Sequence, residues 1–413
     1  MAISFFIILI VLIILNQVIY KDFFSVLNIY NIIWFTMIIL YFLNLITLDY
    51  ITTKTLILIL VSILLNLFGA LFIKNIYKEK SVDISKRNYN FKSIKKVINF
   101  LFFIYFISEI IYLIKVKSLF GTFNMLKISS TLLLLAQRDG GELSNLGLIT
   151  YLKSLNLVIV VLIIWYIKNK KIDLSLSMQL IFIIYFFVCN PSRTQLISLI
   201  FLIIFTIIHF IRYKKINYKV KIKENFKLII IISIGIILVI VFFYFMGDKL
   251  NKSNYIDGKF WSSPYLYIAG NIPALDKMLN NSIEFSHGKK SFYVIYKVLE
   301  IITGKNFGLY TVEDFVNIPY PFNTYTSISI YYSDFGIIGI ILLSFFVSIF
   351  VNYIYIKYSK RKDFFAVFLL SYIFVIITST FNVNKLPWFI TWLQIGESAL
   401  VAFFINKFCL NKK

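Results

Sequence analysis

The 413-residue chain is 60% hydrophobic and 15% charged, where soluble globular domains carry about 25% charged and about 45–50% apolar residues. Its 42 Lys+Arg and 19 Asp+Glu leave a net charge of +23, yet no nucleic-acid module accompanies that charge, and basic residues collect in the cytoplasmic loops of membrane proteins. Two cysteines and two histidines, with no spaced Cys/His/carboxylate cluster, argue against a disulfide framework and leave no ground for a protein-built metal site.

The predicted elements are helices. Apolar runs fall at 3–20, 23–48, 55–77, 97–114, 148–167, 176–190, 194–211, 228–246, 327–356, 364–381 and 388–406. Most approach the ~20 residues that a ~30 Å hydrocarbon core requires. The period-two alternation of an outer-membrane barrel is absent. The expected fold is therefore all-α: a polytopic integral membrane protein, one membrane domain over 1–413, with about eleven transmembrane helices. The first run lacks a basic flank and an A-x-A-like cleavage site, so it reads as a retained span.

Alternate loops carry the basic residues: Lys21, eight between Lys74 and Lys96, three in 168–171, seven in 212–227, four in 357–362 and three from Lys407. The positive-inside rule makes that side cytoplasmic, with the N-terminus outside and the C-terminus inside. Lys115 and Lys117 then fall outside, against the rule. The outer face holds a loop near 115–147, a turn at Asn190–Pro191 and a loop of roughly 80 residues at 247–326. That loop is too aromatic to be disordered and contains the helix-like KSFYVIYKVLEII (290–302), so a folded, partly helical cap over an outward-facing cavity is expected.

Only five of the 42 cations are arginines, and two of those, Arg138 and Arg193, fall on the outer side. Arg193 opens a helix after the breaker Asn190-Pro191-Ser192. It reads either as a snorkelling anchor or as an anion site, a guanidinium beside free helix N–H groups. Arg138 precedes a Gly-Gly turn, where Asp139 neutralises it or a phosphate does. Asp334, in the first turns of a late span, is expensive in hydrocarbon unless it pairs, caps a break, or handles a proton of a sugar hydroxyl. Gly336 and Gly339 below it permit close helix packing. Asn323, Tyr325, Tyr331 and Tyr332 approach the same span, and Trp261 and Tyr267 lie in the long loop. Their rings suit either sugar stacking or the cap core and interface belt. His287 is a candidate general base or a solvated surface histidine.

Three segments carry a resemblance: PSRTQL (191–196), YIAGNIPAL (267–275) and NTYTSISIYYSDFGIIG (323–339), with Arg138 in the preceding outer loop. In order and sidedness they resemble the oligosaccharide repeat unit polymerases that build O-antigen and capsule. The resemblance spans roughly residues 130–345. It implies a metal-independent glycosyltransferase, without cofactor, in the bacterial cytoplasmic membrane. The enzyme would move a growing glycan from undecaprenyl diphosphate onto the next lipid-linked repeat unit at the outer face. Arg193 and Arg138 would then stabilise the leaving diphosphate, and Asp334 or His287 would serve the acceptor hydroxyl. Asn323, Tyr325, Tyr331, Tyr332, Tyr267 and Trp261 would bind sugar. The implied partners are the lipid-linked oligosaccharide, membrane lipids, and a chain-length regulator and flippase of the same pathway, with no nucleic acid. No Asp-x-Asp motif of nucleotide-sugar enzymes occurs.

Two other functions fit the same sequence. A ligase joining finished polymer to an acceptor would also need outward arginines and a large outer loop. A flippase or transporter of lipid-linked oligosaccharide should carry charges within several spans; the clear charges seen in sequence lie near one face, which favours a site over a conduit.

Overall fold

Inside hydrocarbon the backbone can satisfy its N–H and C=O groups only within the chain, so unbroken apolar runs close into helices. The computed structural model describes residues 2–20, 22–77, 89–123, 125, 128, 143, 146–170, 173–189, 193–212, 262–281, 284–309 and 315–410, with side chains throughout except at 2–4, 193, 212 and 263. The first helices are α1 (Ala2–Tyr20), α2 (Val26–Leu43), α3 (Thr53–Ile76) and α4 (Phe91–Phe120). A broken pair follows, α5 (Leu148–Leu152) and α6 (Leu155–Asn169), then α7 (Leu174–Cys189) and α8 (Arg193–Arg212). Three short helices come next: α9 (Ser262–Ala269), α10 (Asn271–Asn280) and α11 (Tyr293–Thr303). A small antiparallel hairpin, β1 (Val316–Asn317) and β2 (Pro321–Phe322), leads into α12 (Ser327–Tyr358), α13 (Phe364–Ser379) and α14 (Phe389–Phe408).

Among the described residues seven helices are long and apolar enough to cross a membrane: α2, α3, α4, the α5–α6 pair, α8, α12 and α14. Shorter apolar helices are α1, α7 and α13. Their outward faces are apolar as well, as on α4, where Phe100 and Phe103 are 63% and 60% exposed. A bilayer accommodates such faces and water does not. The predicted span at 228–246, the turn at Asn190–Pro191, Arg138 and Trp261 lie outside the described residues.

The chain divides into two compact units: Met1–Lys80 with Asn254–Lys357 and Ile376–Thr391, and Ser81–Ser253 with Tyr358–Val375 and Trp392–Lys413. The first unit is held by polar contacts between apolar helices. Tyr30 and Ser62 hydroxyls lie 3.1 Å apart, and Ser62 and Ser344 3.0 Å apart. Ser348 donates to the Asn66 carbonyl (2.6 Å), and Tyr20 donates to Asn352 Oδ1 (2.9 Å). α3 and α12 approach closely because residue 69 is glycine: a Cβ there would sit 2.8 Å from the Ser348 side chain. Apolar area gives no preference between lipid and a neighbouring helix, so small residues and hydrogen bonds do the joining.

α12 is interrupted at Phe335 and Gly336 (φ +62°, ψ −147°). Only glycine adopts that backbone at low cost, so Gly336 is the kink. The run of residues read as one straight span is thus two segments with different directions.

The second unit packs around α6, whose residues Val158 to Ile163 are fully buried. Trp165 Nε1 donates to the Lys362 carbonyl (2.9 Å), and His209 Nε2 lies 2.8 Å from the Arg361 carbonyl. Asp173 caps α7 by accepting the Ser175 and Leu176 N–H groups, and it pairs with Lys95 at 2.5 Å. That ion pair and the cap hold the Asp173 carboxyl below its usual range. The α5–α6 break at Lys153–Ser154 was not apparent in the apolar run 148–167.

Candidate functional site

The stretch from α9 through the first turns of α12 carries most of the sequence-predicted residues, and Asp334 of α12 positions the turn within it. This carboxylate is fully buried at the kink. It accepts hydrogen bonds from the Ser286 hydroxyl, the Lys290 N–H (3.1 Å) and the Ser291 N–H (2.5 Å). Ser286 N–H adds a bond to the Ser333 carbonyl (2.9 Å). Both oxygens of Asp334 are therefore engaged in fixing the turn at 286–291, which makes it an anchor for the start of α11. His287 sits in that turn with φ +50° and an exposed side chain, and its carbonyl accepts the Tyr296 hydroxyl at 3.0 Å.

Further along, α10 is tied to α3. Asp276 Oδ1 accepts the Thr52 N–H (2.7 Å) and the Thr52 and Thr55 hydroxyls (2.6 Å each), and Asn280 donates to Oδ2 (3.0 Å). Lys54 and Tyr332 both donate to the Leu279 carbonyl, at 2.6 and 3.4 Å.

A third locus brings two of the family-like segments together. The connection between α13 and α14 reads TFNVNKLPW (380–388), and Thr380, Asn382, Asn384 and Lys385 are all buried. Ser327 N–H at the start of α12 donates to the Thr380 carbonyl (2.9 Å). Asn382 Nδ2 donates to the Tyr267 hydroxyl (2.7 Å), and the Asn384 side chain lies at the Tyr331 hydroxyl. Lys385 follows directly. Its Nζ stands 5.3 Å from the Trp388 ring centre, and burial pushes its ammonium down to about 8. The hydroxyls of Thr324 and Thr326 are buried without a hydrogen-bond partner. Tyr325 and Tyr331 are buried, whereas Asn323 and Tyr267 are half-buried. The connection thus carries a buried ammonium and two buried amides, group types that suit an anion bearing hydroxyl groups.

Of the predicted residues, Tyr267 and Tyr331 thus meet one short connection, while Asp334 and His287 belong to the 286–291 turn. Tyr332 lies by Leu279. Arg193 opens α8 in the second unit; Arg138 and Trp261 are outside the described residues. Lys385 was missed. Its signal was available, because it is a lysine in a short loop that the basic-residue pattern assigns to the outer side.

Missed as well was an ionic cluster on candidate spans of the second unit. Lys153 Nζ lies 3.2 Å from Glu109 Oε2 and 3.1 Å from the centre of the Tyr112 ring. The next residue, Ser154, has its hydroxyl 2.5 Å from Glu397 Oε1. Glu109, Lys153 and Glu397 all fall within candidate spans.

Fold and residues together define a multi-pass α-helical membrane protein with buried polar and ionic groups among its helices. The naming of a particular family finds no further support: no protein-family model, no curated protein and no solved structure matches the chain.

Proposed function

We propose that this chain is a polymerase of undecaprenyl-diphosphate-linked oligosaccharide repeat units, acting at the outer face of the bacterial cytoplasmic membrane. In this reading about eleven spans cross the bilayer with the N-terminus outside and the C-terminus inside, as the basic loops indicate. The segment 247–326 forms the cap of an outward-facing cavity. The observation that carries the reading is the convergence of Tyr267 and Tyr331, one from each of two family-like segments, on the connection holding Asn382, Asn384 and buried Lys385.

The reaction joins the acceptor hydroxyl oxygen to the anomeric carbon of the donor glycan. The anomeric carbon–oxygen bond to the diphosphate breaks, and the hydroxyl proton passes to a base or to water. Lipid diphosphate leaves with the developing charge, which a preorganised cation stabilises. Lys385 is assigned that role in the first unit; Arg138 and Arg193 are the cations that the family resemblance implies for it. Asp334 is a positioning residue, since both of its oxygens hold the 286–291 turn. The tyrosines and Asn323 line the sugar path. A chain-length regulator and the pathway's flippase are the expected partners.

The test is the surface glycan of a strain lacking the chain, complemented with wild type or with Lys385→Ala. Loss of long chains with single repeat units still exported supports the proposal, and Lys385→Ala is expected to behave like the deletion. Finished polymer left on its lipid carrier would instead identify a ligase.

A second reading has its own observation. The Glu109–Lys153 pair inside candidate spans suits a transporter of the same lipid-linked oligosaccharide. Single units trapped on the cytoplasmic side of the deletion strain would select it.

A further inference from the structure

A helix at a protein's water-facing surface turns its apolar side inward and its polar side outward. α11 does the reverse. Around its axis Ile295, Val298, Leu299, Ile301 and Ile302 form one apolar arc, while Tyr296, Lys297 and Glu300 share the opposite side. The apolar arc is the exposed one: Ile295 is 58% exposed, and Ile301 and Ile302 are each 74% exposed. The polar side is covered by the chain that follows. Gly304 (φ +67°) turns the backbone, and Phe307 N–H donates to Glu300 Oε1 at 3.0 Å. Glu300 Oε2 pairs with Lys297 at 3.1 Å, and the Phe307 ring lies 5.6 Å from that of Tyr296. The Tyr296 hydroxyl is held by the His287 carbonyl.

We infer that α11 is an interfacial helix, lying along the bilayer surface with its exposed arc among lipid acyl chains and its hydrogen-bonded side toward the protein and water. Continuity with a membrane-facing surface identifies the occupant. The turn before α11 is bound by Asp334 on α12, and the Phe292 and Phe335 rings are 6.4 Å apart. Below Phe335 the same helix exposes Ile337, Ile338 and Leu342 on a candidate span. The α11 arc thus extends an apolar surface that already faces lipid. Lys289 and Lys290 precede the helix and Lys305 follows it, a basic flanking that suits anionic headgroups. This inference requires only that α12 sits in a membrane, so it stands or falls separately from the polymerase proposal.

The test uses the full chain in phosphatidylethanolamine–phosphatidylglycerol liposomes, with both native cysteines replaced by alanine. A nitroxide is attached at Ile295→Cys or Ile302→Cys, and at Lys305→Cys as the aqueous reference. Collision with oxygen, which concentrates in lipid, is expected to exceed collision with a water-soluble nickel chelate several-fold at 295 and 302, and the order is expected to reverse at 305. Chelate collision dominating at 295 and 302 would place the arc in water and overturn the inference. Low collision with both reagents, with spin–spin broadening between labelled copies, would mean that a second protein chain covers the arc, which overturns it equally. All three positions are exposed, so labelling leaves the packed interior intact, and an unchanged elution volume in detergent verifies that.

Discussion

α10 and α11 are neighbours in sequence, similar in length and both amphipathic, and they are turned opposite ways. α10 buries Ile272, Ala274, Leu275, Met278 and Leu279 and fixes its carboxylate, Asp276, on donors of α3. α11 exposes its aliphatic arc and closes its polar side with a turn of its own making. An amphipathic pattern therefore marks a boundary between two environments without saying which lies on which side. The hydrogen bonds of the polar face decide, because a charged or amide group without a partner costs more than a methyl group in either setting.

That contrast can be broken at its inward end first. Asp276→Ala leaves the Thr52 N–H and the Thr52 and Thr55 hydroxyls without their acceptor and is expected to cost about 4 kcal/mol, seen as a lowered unfolding midpoint in detergent micelles. An unchanged midpoint would mean that α10 is held by its apolar face alone. Leu275→Ala, at a fully buried position, is expected to cost about 3 kcal/mol in the same assay.

The polar connection that meets Tyr267 adds a pH signature on the inward side. Burial lowers the Lys385 ammonium from 10.5 to about 8, so between those values the unfolded chain binds more protons than the folded one. Stability should then rise with pH through that window, by roughly 3 kcal/mol in all, and carry the full penalty below it. Lys385→Met should flatten the profile and raise the midpoint at neutral pH. A steep rise surviving the substitution would assign it to another group.

On the outward side the effects shrink. Asp334→Asn weakens the hold on the 286–291 turn at a cost of about 2 kcal/mol, with faster hydrogen exchange confined to that turn and the start of α11. Exchange spreading into α10 would show that the two helices are one cooperative unit. Ile301→Ala should change the midpoint in micelles by less than about 0.5 kcal/mol, the mirror of Leu275→Ala.

The helices were legible in sequence because a hydrocarbon layer of fixed thickness demands long apolar runs. Ten of the predicted runs correspond to helices among the described residues, although α4 extends to Phe91–Phe120 because Asn90 caps it by accepting the Lys92 and Ser93 N–H groups. The kink at Gly336 and the break at Lys153 were not legible, since an apolar run looks alike whether it is straight or interrupted. Nor were the partners of Asp334, Asp276, Glu109 and Glu397, which are 43 to 243 residues away in sequence or lie on different helices. Sequence gives the cost of a buried charge at once; only the packed chain gives the group that offsets it. Lys385 was overlooked because a lysine next to Pro387 and Trp388 in a short loop reads as solvated, whereas folding buries it.

Reconstitution tests the central claim most directly. Purified chain in liposomes is supplied with a single undecaprenyl-diphosphate-linked repeat unit, and products are resolved by mass spectrometry. The account predicts a ladder of lipid-linked multimers with one lipid diphosphate released per bond formed, abolished in Lys385→Ala. Repeat units that cross the bilayer unchanged, with no multimer formed, would contradict it and make the protein a transporter.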